Sequence, residues 1–118
     1  MNKRQIGTKK EQTAAEYLKI QGYDILGVNF YSRFGELDLI ARDGRYIVFV
    51  EVKYRTGIQK GYPLEAVTLT KRRRIIQAAR YYLYRNRYPE DTPCRFDVIG
   101  ILGEEITHVK GAFDLCQS

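Results

Sequence analysis

Three charged residues stand inside apolar, strand-like runs of this chain: Asp38 in Gly35-Glu36-Leu37-Asp38-Leu39-Ile40, and Glu51 and Lys53 in Val48-Phe49-Val50-Glu51-Val52-Lys53. An ionised group among apolar neighbours is costly unless it is paired or binds a metal, so these three are candidates for a site. Two carboxylates brought together repel each other, and a divalent cation relieves that repulsion; Lys53 beside them could relieve part of it instead. Carboxylate oxygens are suitable ligands for Mg²⁺ or Mn²⁺. One chemistry such a site could serve is phosphodiester hydrolysis, which needs an in-line water nucleophile and neutralisation of charge in the transition state.

The turn between the two runs fixes how they face each other. Asp43-Gly44 is a two-residue hairpin signal, because type I′ turns need positive φ at both central positions. It predicts Arg42 opposite Arg45, hence Ile40 opposite Ile47, Asp38 opposite Phe49 and Glu36 opposite Glu51. Directly opposed side chains share a face. Glu36, Asp38, Glu51 and Lys53 therefore emerge on one side of the hairpin, and Leu37, Leu39, Val48, Val50 and Val52 on the other. Asp38 and Glu51 become diagonal neighbours, roughly 7–8 Å apart and within reach of one shared cation.

Around the hairpin, helical and strand patterns alternate. Thr8-Lys9-Lys10-Glu11 reads as a capping box, with Ala14, Ala15, Tyr17 and Leu18 as the apolar stripe of a first helix ending at Gly22. A strand over Tyr23 to Phe30 precedes the hairpin. Arg55 to Pro63 forms a Gly-bearing loop after it, followed by a short helical turn over Leu64 to Val67. Thr70 caps a second helix from Lys71 to about Arg87 that buries Ile75, Ile76, Ala79, Tyr82 and Leu83, and Pro89 and Pro93 enforce its end. Strands over Arg95 to Leu102 and Ile106 to Phe113 are joined through Gly103-Glu104. This order predicts an α/β fold with a mixed sheet, and 118 residues make one domain over 1–118.

A net charge of +6 and a pI near 9.4 suit a polyanionic partner. Lys71-Arg72-Arg73-Arg74 gathers four cations at the start of the second helix, where the helix dipole disfavours each by roughly 0.3–1 kcal/mol. A phosphate would reverse that cost; the plainer alternative is a set of solvated side chains on an exposed turn. Tyr81, Tyr84 and Tyr88 offer stacking surfaces, Tyr82 belongs to the core face, and Arg55, Lys60 and Tyr62 lie on the loop beside Lys53. No run of about 18 apolar residues could span a bilayer. Met1-Asn2-Lys3-Arg4-Gln5 leads into a polar helix rather than a signal-peptide core, so a cytoplasmic protein without membrane contact is expected. Cys94 and Cys116 are too few for a disulfide scaffold and are expected to be reduced. The lone His108 excludes a multi-histidine zinc site and is expected to be structural.

The order Gly-x-x-Asp-Leu-Ile, twelve residues after Asp38, then Glu-Val-Lys resembles the core of the PD-(D/E)xK nuclease superfamily, which includes restriction endonucleases and archaeal Holliday-junction resolvases. With Ala14-Ala15-Glu16-Tyr17-Leu18 before it and Arg95-Phe96-Asp97-Val98 after it, nearly the whole chain is similar to the YraN family of small endonuclease-like bacterial proteins. The resemblance implies a restriction-endonuclease-like three-layer fold, a central mixed β-sheet flanked by helices. It implies that Asp38, Glu51 and the Val52 carbonyl hold Mg²⁺ or Mn²⁺. Lys53 would orient or help deprotonate the attacking water and stabilise the phosphate. An acidic residue of the first helix, Glu11 or Glu16 further along it, would complete the metal site; for Glu11 the capping box is an equally complete explanation. Glu36 takes a supporting role, and Gln77 with Tyr81 echoes a Gln-x-x-x-Tyr feature of exonuclease-like relatives.

The expected function is metal-dependent hydrolysis of nucleic acid, DNA before RNA, with branched or single-stranded substrates as candidates and Arg55, Lys71, Arg72, Arg73 and Arg74 on the phosphates. Two other functions compete: a non-catalytic nucleic-acid-binding module that keeps the scaffold, and an interaction protein that dimerises through its sheet edge. A homodimer would also suit a nuclease that handles two strands.

Overall fold

In the computed structural model, which describes residues 3–55 and 67–113, the chain forms α1 (Lys3–Ile20), β1 (Asp24–Ser32), β2 (Gly35–Asp43), β3 (Tyr46–Arg55), α2 (Leu69–Arg85), β4 (Cys94–Leu102) and β5 (Glu105–Phe113). The strands form one five-stranded sheet in chain order, antiparallel except for the parallel β3–β4 pair. A parallel pair needs a crossover, and α2 lies within it. On one face α1 packs through Ala14, Ala15 and Leu18 over Leu39, Ala41, Val48, Val50, Ile99 and Ile101. On the other, Ile75, Ile76, Ala79 and Tyr82 of α2 cover Ile40, Ile47, Phe49, Phe96 and Val98. With both faces covered, the central strands are apolar on both sides. The result is the mixed-sheet α/β fold in three layers that was expected, consistent with a restriction-endonuclease-like arrangement.

Aromatic rings fill the α2 side. Phe49, Phe96 and Phe113 stack in series at centroid distances of 5.4 and 4.9 Å, and Tyr82 meets Phe49 edge-on at 5.9 Å. Such pairs add to the burial of their area.

The helix ends are set by local chemistry. Gly22, at φ 95°, lets the Tyr23 N–H reach the Leu18 carbonyl and its own N–H reach that of Lys19, both at 3.0 Å. This is a Schellman stop, with Tyr23 and Leu18 packed in one cluster. The start differs from expectation. α1 spans Lys3–Ile20, so Thr8 lies inside the helix rather than ahead of its first turn; Lys, Arg and Gln are good helix formers, in keeping with that longer helix. α2 is capped by Thr68, not Thr70, its hydroxyl accepting from the Lys71 N–H at 3.2 Å. That helix ends at Arg85, with Arg87 in the left-handed region at φ 60° before Pro89.

The hairpin register also departs from the prediction. Asp43 pairs with Tyr46, leaving Gly44 and Arg45 as the connection. Gly44 alone has positive φ, 60°, which is the type II′ pattern with glycine first. The slide of two residues keeps the parity of the strands. Continued past Leu39↔Val50, it brings Asp38 level with Glu51 instead of Phe49. A second departure concerns Leu37, which packs on the α2 side while Leu39 lies under α1. The alternation changes sides across Asp38, whose neighbour on β1 is Asn29 at φ 54°.

The side chain of Arg55, the loop with Lys60 and Tyr62, the helical turn expected before Val67, and Cys116 lie outside the described residues. Among the described residues no helix is long and apolar enough to cross a membrane.

Candidate metal centre

Past Leu39 and Val50 the β2–β3 ladder ends, while β2 stays paired with β1 as far as Gly35 and β3 stays paired with β4 as far as Arg55. The sheet therefore forks between its second and third strands. In the fork the Val52 N–H donates to Asp38 Oδ2 at 2.8 Å, so a carboxylate replaces the missing ladder carbonyl. Helix α1 brings Glu11 to the fork, and the first turn of α2 brings Lys71.

One carboxylate oxygen from each of Glu11, Glu36 and Asp38 lies within 4.8 Å of the others. Glu51, buried, holds Lys71 Nζ at 3.0 Å and Lys53 Nζ at 4.0 Å, and its carboxyl lies beside that of Asp38 in the cleft. Two depressions meet here and share Asp38, Glu51 and Lys71. One, of about 430 Å³, adds Glu36, Thr68, Thr70 and Arg74; the other, of about 280 Å³, adds Glu11, Val52, Lys53 and Lys10. Lys10 is held at the rim with its ammonium 5.2 Å from the Tyr54 ring centroid.

Burial and mutual repulsion hold two of the acids back from ionising. Asp38 is pushed up to about 8, chiefly by burial and then by the neighbouring Glu51 carboxylate, against the opposing Val52 hydrogen bond. Glu11 is pushed up to about 7 by burial and by Glu36 and Glu51. Lys53 is pushed down to about 8, first by burial and then by Lys71 beside it. One oxygen, Glu11 Oε2, is buried without a hydrogen-bond partner among the described residues. Hard oxygen donors, a buried oxygen with no donor and carboxyls that resist ionisation fit a divalent cation.

A pH test follows. Glu11 and Asp38 bind protons more tightly folded than unfolded, so their contribution to stability is full below the ordinary carboxylate range and declines as pH rises through about 7 and about 8. A cation must displace those protons. The rise in Tm given by a fixed excess of Mn²⁺ is therefore expected to grow from about pH 6 to about pH 9, and a shift that stays flat across that range would contradict the assignment.

The remaining sequence candidates divide. Glu36, Asp38, Glu51, Val52, Lys53 and Glu11 converge; Glu16 does not, being exposed and paired with Lys19 at 3.4 Å. Lys71, read from sequence as a phosphate contact, is engaged with Glu51 inside the cleft. Arg72 donates to the Val67 carbonyl at 3.3 Å and lies over the Phe113 ring at 5.6 Å. Arg73 and Arg74 are exposed, with Arg74 at the cleft. Gln77 is exposed in a separate depression further along α2.

A second polar cluster was not anticipated as such. Asp97, 1% exposed, accepts from Arg95 Nε at 2.8 Å, His108 Nε2 at 2.7 Å and the Gly111 N–H at 3.1 Å. Arg95 reaches on to Asp43 at 2.9 Å and to the Tyr23 hydroxyl at 2.6 Å, and His108 Nδ1 meets the Tyr17 hydroxyl at 3.2 Å. Burial alone would raise the Asp97 carboxyl, but the His108, Arg95 and Gly111 hydrogen bonds hold it below the usual range. His108 is thus structural, tying β5 to α1 through the core.

Fold and site define a three-layer α/β protein with an acid-lined cleft at a fork in its sheet. The model of the uncharacterised protein family UPF0102 matches residues 10–101, from beside Glu11 to the end of β4, and the chain belongs to that family. It is 57% identical over 114 residues to a UPF0102 protein of Lachnoclostridium phytofermentans, covering 97% of each chain. A UPF0102 protein of Caldicellulosiruptor saccharolyticus is 46% identical over 119 residues, 96% of this chain and 100% of that one. One from Vibrio cholerae is 46% identical over 115 residues, 95% and 94% of the two chains.

Proposed function

We propose that this protein is a metal-dependent nuclease that hydrolyses phosphodiester bonds in nucleic acid, DNA before RNA, in the cytoplasm. The observation that carries the reading is the meeting of the Glu11, Glu36 and Asp38 carboxylates within 4.8 Å, in a cleft that also holds Glu51, Lys53 and Lys71. Those three acids, with Glu51 and the Val52 carbonyl beside them, would hold Mg²⁺ or Mn²⁺, as in the PD-(D/E)xK pattern that the motifs resemble. A bound cation would withdraw charge from the phosphate and acidify a water molecule.

The chain's own groups do the rest. Lys53, brought to about 8, has a neutral fraction near neutral pH and can take the proton of an attacking water. Lys71 is raised by Lys53 and Glu51 against its burial, so it stays charged and can exchange Glu51 for a substrate phosphate. Thr68, Thr70 and Arg74 place donors at the N-terminus of α2, where an anion is favoured. A net charge of +6 steers a polyanion toward the surface. Support for a homodimer comes from β1, an edge strand with Leu26, Val28 and Tyr31 exposed.

One contact favours a second reading, the non-catalytic binding module: Lys71 Nζ lies 3.0 Å from Glu51 and already supplies positive charge in the cleft. Incubation with single-stranded, duplex and branched substrates plus Mn²⁺ or Mg²⁺ separates the two. Cleavage by the wild type that Glu51→Gln and Lys53→Ala both lose supports the nuclease; salt-dependent binding without cleavage supports the module.

A further inference from the structure

Beyond the carboxylate cleft, the exposed face of α2 carries a depression lined by Phe34, Gln77, Arg80, Tyr81 and Tyr84. Three of its five lining residues are aromatic. Tyr81 lies against Phe34 and Phe30 at centroid distances of 5.7 and 6.2 Å, which fixes its ring, while Tyr84 is 81% exposed. Around the rings stand cations: Arg80 in the wall, Arg33 over the Phe34 ring at 4.9 Å, and Arg74, which lines the carboxylate cleft one turn before Gln77. From Arg74 to Tyr81 the rise along the helix is roughly 10 Å, about the span of three stacked nucleotides at 3.4 Å each.

We propose that this face binds an unpaired stretch of the nucleic-acid strand whose phosphodiester enters the carboxylate cleft, with a base stacked on Tyr81, Phe34 and Tyr84 and the neighbouring phosphates on Arg73 and Arg74. The proposal rests on the nuclease reading and narrows its substrate to single-stranded or strand-separated nucleic acid. A depression with aromatic walls and a cationic rim complements a π face flanked by phosphates. Continuous duplex keeps its bases inside the stack and offers only its backbone, which the arginines could hold but the rings could not. A nucleotide whose base has left the stack presents both features together.

The test is binding without cleavage. A fluorescein-labelled oligothymidylate and a labelled duplex of mixed sequence are titrated by anisotropy in EDTA with wild type, Tyr81→Ala, Tyr84→Ala and Tyr81→Phe. The wild type is expected to bind the single strand at least about tenfold more tightly than duplex. Tyr81→Ala and Tyr84→Ala are expected to weaken single-strand binding by about ten- to a hundredfold, to leave duplex binding unchanged, and Tyr81→Phe to retain the preference. Tyr84 is exposed, so its variant reports even where Tyr81→Ala disturbs packing. Equal binding of single strand and duplex, or tyrosine variants that bind as wild type does, would overturn the proposal; loss of both ligands together would assign the tyrosines to folding and overturn it too. Mn²⁺-dependent cleavage is measured separately. If Asp38→Asn abolishes cleavage while the tyrosines prove inert, the stacking subsite fails and the nuclease stands. A tyrosine-dependent single-strand preference in a protein that never cuts has the opposite meaning.

Discussion

Asp38→Asn is expected to lower Mn²⁺-dependent cleavage by about 10³-fold, which corresponds to about 4 kcal/mol of lost transition-state stabilisation. The metal-free protein should melt at the same temperature or higher. The reason is the position of the side chain in the fork. Its carboxyl is half-buried against Glu51 and sits at about 8, so ionising it works against folding. Asparagine keeps an oxygen for the Val52 N–H, now 2.8 Å from Asp38 Oδ2, and removes the charge. Above about pH 8 the gain in metal-free Tm should be largest, because there the wild type must carry the ionised group. Added Mn²⁺ should no longer raise the Tm of the variant. Differential scanning fluorimetry with and without Mn²⁺, paired with a cleavage assay, reads all three quantities. A variant that still cuts at more than about a tenth of the wild-type rate would remove Asp38 from the chemistry.

Asp97→Ala should have the largest effect on stability, a loss of about 3–5 kcal/mol, because deleting one partner strands the others in a buried setting. Arg95, with its side chain 19% exposed, and His108, at 5%, both direct hydrogen bonds at the missing carboxylate. A domain of this size has only about 5–15 kcal/mol to lose, so the variant should unfold at a much lower urea concentration. The acid limb changes as well. A carboxyl held below its ordinary value stabilises the fold above about pH 4 and loses that contribution as pH falls through the folded value. In Asp97→Ala the corresponding part of the acid-induced loss should be absent. A urea midpoint shift equivalent to less than about 1 kcal/mol would mean that the cluster is relaxed by water or rearrangement.

Much of this molecule was legible in its residues. The order and type of the seven elements among the described residues follow from hydrophobic period and from Gly and Pro positions, since each helix buries one stripe and each strand alternates or runs apolar. The approach of Asp38 to Glu51 and Lys53 was legible because a register slide of two residues leaves strand parity intact, whereas Glu36 reaches the site although the alternation of β2 changes sides across Asp38. The slide itself was not, because Asp-Gly is compatible with more than one tight turn and the cross-strand contacts choose among them. The change of side at Leu37 was not legible either, nor was the positive φ of Asn29 on the neighbouring strand, which asparagine tolerates but does not announce. Thr68 displaced Thr70 as the cap, and Lys71, in the first turn of the helix, pairs with Glu51, a contact that depends on how α2 docks on the sheet. The rule that singled out Asp38, a charge inside an apolar run, also fits Asp97 in Phe96-Asp97-Val98-Ile99. Its partners, however, come from β5 and from Arg95 two residues before it, and only the folded sheet brings His108 to it.

At the fork between β2 and β3 the Val52 amide donates directly to the candidate metal-binding carboxylate Asp38. Its proton resonance is therefore a built-in spectroscopic gauge, moved by anything that changes the charge on Asp38, whether a proton, a cation or a neutral replacement. A single amide cross-peak would follow loading of the centre in the isotopically enriched but otherwise intact protein, with no turnover required.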